Sequence, residues 1–64
     1  MKYMVSMKAA RINAKLNLTE AADRIGVSVS TVKNWEAMKT FPNQPMLERI
    51  CEVYAIPYDM LKFF

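Results

Sequence analysis

The chain has no histidine, one cysteine and one glycine, and its three prolines all lie beyond residue 41. Each scarcity excludes something. Without histidine, and with Cys51 alone, most zinc sites and the usual histidine-based catalytic arrangements are out of reach. One cysteine closes no internal disulfide. No apolar run approaches the roughly 18 residues that span a bilayer, and the start carries no signal-peptide pattern. These absences predict a soluble cytoplasmic protein with no membrane partner, no metal and no cofactor. No nucleophile–base pair is visible either, so neither an enzyme nor a small-molecule substrate is expected.

What is present points to helices. Sixty-four residues make one domain, residues 1–64, and a chain this short buries only about 60% of its unfolded surface. A hydrophobic content of 53% offsets that handicap. Few backbone breakers and many Ala, Leu, Met, Lys and Glu residues favour an all-α fold. The net charge of +3 is unevenly spread: residues 1–39 carry seven Lys/Arg against three Asp/Glu, residues 40–64 two against three. A basic first half suits a protein that meets a polyanion on one side.

Five helical stretches are predicted. The first ends near Lys15 and starts between Lys2 and Ser6, with Ser6 a plausible N-cap. If it starts earlier, Tyr3, Met7, Ala10, Arg11 and Ala14 share a face. Asn17 followed three residues on by Glu20 reads as a capping box opening a second helix, which runs to Ile25 and stops at Gly26. Ser28 caps a third helix, from Val29 to about Ala37. Thr40 to Gln44 reads as a loop. Pro45 fits the first turn of a fourth helix reaching Tyr54, with Leu47, Ile50, Cys51 and Tyr54 on its apolar face. Pro57 opens a last short helix, Tyr58 to Lys62. No strand is expected, although Lys2 to Val5 is ambiguous.

The informative segment is Leu18 to Trp35. Two short helices joined by a glycine turn pack only where small side chains admit a close approach, and Ala21 and Ala22 supply them. Ile25, Val27, Val32 and Trp35 fill the angle between the helices. Ser28, Val29, Ser30, Lys33 and Asn34 are then forced outward as a short, polar, slightly basic strip, which suits the edges of base pairs.

At these residues, Leu16 to Ser28 and Val29 to Glu36, the chain resembles the XRE-type helix-turn-helix domains of phage Cro proteins and lambda-like repressors. Ala55 to Leu61 is similar to the final short helix of that family. The resemblance implies a five-helix lambda-repressor-like bundle whose third helix enters the major groove of operator DNA. It implies base contacts from Val29 to a thymine methyl, from Ser30 to several bases, from Lys33 to guanine and from Asn34 to adenine. Lys15, Asn17, Leu18, Thr19, Ser28, Thr31, Lys39, Thr40 and Asn43 become phosphate contacts, Leu18 and Thr19 through N–H groups at a helix start. The family often joins an arginine of the first helix to the glutamate ending the third; Arg11 and Glu36 occupy those places. Two departures stand out. Leu18 replaces a frequent glutamine. Ala37-Met38 replaces the usual Asn-Gly, and without that glycine the third helix could run a turn longer.

The blander alternatives are an ordinary solvated face for Lys33 and Asn34, core packing for Val29, and a surface pair for Arg11 and Glu36. Cys51, Trp35 and the methionines read as core. The tail leaves two choices: Phe63 and Phe64 fold back on the bundle, or they join Pro57, Tyr58 and Met60 in a dimer patch. The resemblance favours a homodimer, at least on DNA, acting as a transcriptional regulator by occupying a promoter near the nucleoid of a bacterial or phage-infected cell. The second functional reading is a protein-interaction module of the same fold, an antitoxin or adaptor, in which DNA binding is secondary or lost.

Overall fold

A polar side chain opens every α-helix. In the computed structural model, which describes residues 4–63, α1 spans Met7–Asn13, α2 Leu18–Ile25, α3 Val29–Glu36 and α4 Gln44–Tyr54. Ser6 Oγ accepts from Ala9 N at 3.1 Å, Ser28 Oγ from Thr31 N at 3.2 Å, and Asn43 Oδ1 from Met46 N at 3.0 Å. At α2 the capping box is complete: Asn17 Oδ1 accepts from Glu20 N at 2.7 Å, and Asn17 N donates to Glu20 Oε1 at 3.1 Å. Each cap satisfies an N–H that has no partner within its own helix.

The helix ends are equally uniform. In all four, a residue with left-handed backbone follows the last turn: Lys15 (φ 62°), Gly26 (φ 90°), Met38 (φ 61°) and Ala55 (φ 53°). The next N–H then reaches back five residues, from Leu16 to Arg11, Val27 to Ala22, Lys39 to Asn34 and Ile56 to Cys51, at 2.9–3.2 Å. This closure satisfies carbonyls at the helix end and ordinarily selects glycine. Only Gly26 conforms. α3 accordingly stops at Glu36 and does not run a turn longer: the hydrogen bond from Lys39 N to Asn34 O holds Met38 in the conformation that glycine would adopt freely.

The chain ends depart from the all-helical expectation. Four α-helices are present among the described residues, not five. Tyr58–Met60 is one 3-10 turn, and Leu61–Lys62 (β2) is a strand that pairs in parallel with Val5–Ser6 (β1), Val5 opposite Leu61 and Ser6 opposite Lys62. The strand at Val5 lies where the sequence is ambiguous. Burial explains the rest: Leu61 is completely enclosed, and an extended segment after the turn carries its side chain into the core while its backbone finds a partner in β1.

The core runs through all these elements. Ala21 and Ala22 let α2 lie against both α3 and α4, and Ile25, Val32, Trp35, Leu47, Ile50, Tyr54 and Leu61 fill the centre. From α1, Met7, Ala10 and Arg11 face inward, and Pro42 is buried in the loop before α4. Val27 and Cys51 are only half-buried, at the margin of this core. The methionines divide: Met7 is buried, Met46 and Met60 half-buried, Met4 and Met38 exposed. Of the described methionines only some are therefore core residues. Tyr3 and Phe64 lie outside the described residues.

Candidate nucleic-acid interface

α3 turns Val32 and Trp35 into the core, which forces positions 29, 30, 33 and 34 away from it. Ser30 and Lys33 are exposed; Val29 and Asn34 are half-buried at the edges of the same strip. Val29 also packs on the margin of the core, which leaves only part of its surface for a ligand. The strip has one cation, one hydroxyl and one carboxamide, with no acid among its four residues.

An ion pair braces this helix from behind. Arg11 Nε donates to Glu36 Oε2 at 2.7 Å and Nη2 to Oε1 at 3.3 Å, while Nη1 donates to the Leu16 carbonyl at 3.0 Å. Both side chains are about nine-tenths buried, 10% and 11% exposed. One guanidinium thus ties together the last turn of α3, α1 and the loop before α2. The hydrogen bond to Glu36 raises the Arg11 pKa, burial pulling the other way. Tyr54 sits in the same neighbourhood; burial pushes its phenol up to about 12, with the Glu36 carboxylate adding to the rise and Arg11 opposing it. Burial likewise raises the Cys51 thiol, which keeps it protonated and poorly reactive.

Along the chain most of the residues expected at phosphates fall into two groups, one at the starts of α2 and α3 and one after α3. At the start of α2, Asn17 and Thr19 are exposed and Leu18 half-buried. The N–H groups of Leu18 and Thr19 meet no acceptor among the described residues. The Asn17 N–H is already engaged by Glu20, however, and the Glu20 carboxylate puts a negative charge beside any anion bound there. At the start of α3, the hydroxyls of Ser28 and Thr31 lie 2.9 Å apart and hydrogen-bond each other. The second group follows α3. Lys39, Thr40 and Asn43 are exposed; the Asn43 carbonyl oxygen is occupied as the α4 cap, which leaves its amide NH2 free to donate. Lys15 projects from the left-handed position after α1.

The described tail residues do not stand apart from the domain. Phe63 packs against the core and its ring centroid lies 5.6 Å from that of Tyr58. Tyr58 donates to Gln44 Oε1 at 3.4 Å. Pro57 and Tyr58 are exposed and Met60 half-buried. Phe63 thus lies against the bundle, and among the described residues of the patch Pro57 and Tyr58 are the exposed ones. Phe41, for which the sequence predicts only a place in a loop, is 56% exposed; a phenylalanine followed by proline in a loop is the signal it offers.

Among the described residues, no helix is long and apolar enough to cross a membrane. A family model described as helix-turn-helix matches residues 7–61. No curated protein and no solved structure matches the chain.

Proposed function

The chain belongs to the helix-turn-helix family of Cro and lambda-repressor type, a family of DNA-binding regulators, and from that premise we propose that it reads operator DNA in the major groove with α3 and regulates transcription by occupying its site. The observation that carries this reading is the outward strip of α3, an exposed Ser30 and Lys33 beside a half-exposed Asn34, on a helix locked by Arg11 and Glu36. Lys33 suits guanine O6 and N7, and Asn34 suits adenine N6 and N7. Ser30 and the exposed part of Val29 add a hydroxyl and an apolar contact. Lys15, Lys39, Thr40, Asn43 and the α2 N–H groups hold the register on phosphates without specifying sequence. A two-fold homodimer would set two copies of α3 about 34 Å apart in successive major grooves.

Selection of bound duplexes from a random pool tests the reading and returns the site. A palindromic site is expected. On that site Asn34→Ala should cost about 1–3 kcal/mol and relax the preference at a single base pair; equal weakening on every sequence would remove Asn34 from the readers. Affinity should also fall with salt, log K changing by about −0.9 per neutralised phosphate for each unit of log salt. An absence of duplex binding would leave the fold to an interaction module.

A further inference from the structure

We propose that Phe41 is a DNA-backbone contact, its ring packing on a deoxyribose at the edge of the groove that α3 occupies; this rests on the DNA-reading role above. Phe41 is among the most exposed large apolar residues of the described chain, 56% accessible, and its position is fixed from both sides. Upstream, Lys39 N at 2.9 Å and Thr40 N at 3.5 Å both donate to the carbonyl of Asn34, a residue of the outward strip. Downstream, Pro42 is buried and Asn43 caps α4. A following proline also disfavours helical backbone at Phe41. The ring is presented by an anchored loop tied directly to the end of the reading helix.

Its surroundings select the partner. The exposed run Met38-Lys39-Thr40-Phe41 joins a cation and a hydroxyl to two apolar side chains, and no acidic residue occurs between Glu36 and Glu48. A nucleic-acid backbone alternates in the same way, an anionic phosphate and then an apolar sugar face. Lys39 and Thr40 meet the phosphate and Phe41 the sugar beside it. A aromatic contact of this kind excludes water from the phosphate contact next to it and releases no counterion itself.

The test uses the full chain and a duplex recovered from the random pool, with affinity measured by fluorescence anisotropy across a salt series. Phe41→Ala should weaken binding roughly tenfold and leave the slope of log K against log salt unchanged. Phe41→Leu should retain most of the affinity, and Lys39→Gln should reduce the slope by about 0.9. The melting temperature of Phe41→Ala should equal that of the wild type. Three results overturn the proposal: wild-type affinity in Phe41→Ala, a lowered melting temperature that makes the ring part of the domain's own packing, or loss of self-association in its place, which assigns the ring to a second copy. A wild-type chain that binds no duplex overturns the DNA-reading role itself, whereas binding with a silent Phe41→Ala overturns this inference alone.

Discussion

Arg11 turns three guanidinium nitrogens to two neighbours, two to the Glu36 carboxylate and one to the Leu16 carbonyl. A lysine in its place would supply a charge but not the planar fork that spans both. Such a pair adds little net stability compared with a well-packed apolar substitute, yet losing one member strands the other. Arg11→Met should therefore cost about 3 kcal/mol, the lower end of the range for buried pairs, because both side chains keep a sliver of solvent contact. Urea denaturation measures it. The double variant Arg11→Met with Glu36→Met should recover much of the loss. A cost below about 1 kcal/mol would put the pair in the class of surface ion pairs.

At the level of the helices, strain collects at the C-termini. Lys15, Met38 and Ala55 hold left-handed backbone that glycine enters without penalty, whereas an L side chain pays about 1–2 kcal/mol. Glycine returns part of that gain as extra freedom in the unfolded chain. Met38→Gly should thus raise stability by about 0.5–1 kcal/mol and the melting temperature by a few degrees, read by circular dichroism. A fall would mean that the exposed Met38 side chain contributes more than its backbone costs. The start of α2 supports a prediction of opposite kind. Glu20 completes the capping box, and its carboxylate stands where a phosphate is proposed to bind. Glu20→Gln keeps the reciprocal hydrogen bonds, since glutamine serves in the same box, and removes the charge. DNA affinity should rise roughly threefold at low salt, with the gain fading as salt screens it. Unchanged affinity at low salt would place the phosphate away from α2.

For the molecule as a whole, the parallel pairing of β1 with β2 joins Val5–Ser6 to Leu61–Lys62, and the buried Leu61 ties this segment into the fold. Of the residues proposed for a dimer patch, Pro57 and Tyr58 are the exposed ones among the described residues. Deleting the terminal phenylalanines would disturb Phe63 packing as well as any interface, so Tyr58→Asp is the cleaner probe. It should abolish the advantage of a palindromic duplex over a half-site while half-site affinity stays within about twofold, because one copy of α3 still reads its own groove. Sedimentation on the palindrome would then show one chain bound instead of two. Equal stoichiometry in variant and wild type would move the two-fold contact elsewhere on the surface.

Residues within four positions of one another settled what was legible beforehand. Ser6, Asn17 and Ser28 announce their helices because a side-chain oxygen reaches an N–H two or three residues on. Gly26 announces its turn because positive φ is free for glycine. The outward strip of α3 follows from helical spacing against Val32 and Trp35, and the family resemblance implies the pairing of Arg11 with Glu36. Packing between distant segments decided the remainder. The strand at Leu61 exists because Val5, fifty-six positions earlier, offers a backbone partner and the core has a place for one more leucine. The left-handed turns at Lys15, Met38 and Ala55 have no glycine to mark them; the hydrogen bonds that reach back five residues, and at Leu16 and Ile56 the packing of the next side chain on the core, outweigh a local preference of about 1–2 kcal/mol. Local sterics specify where a helix begins; only the assembled core specifies how the chain leaves it.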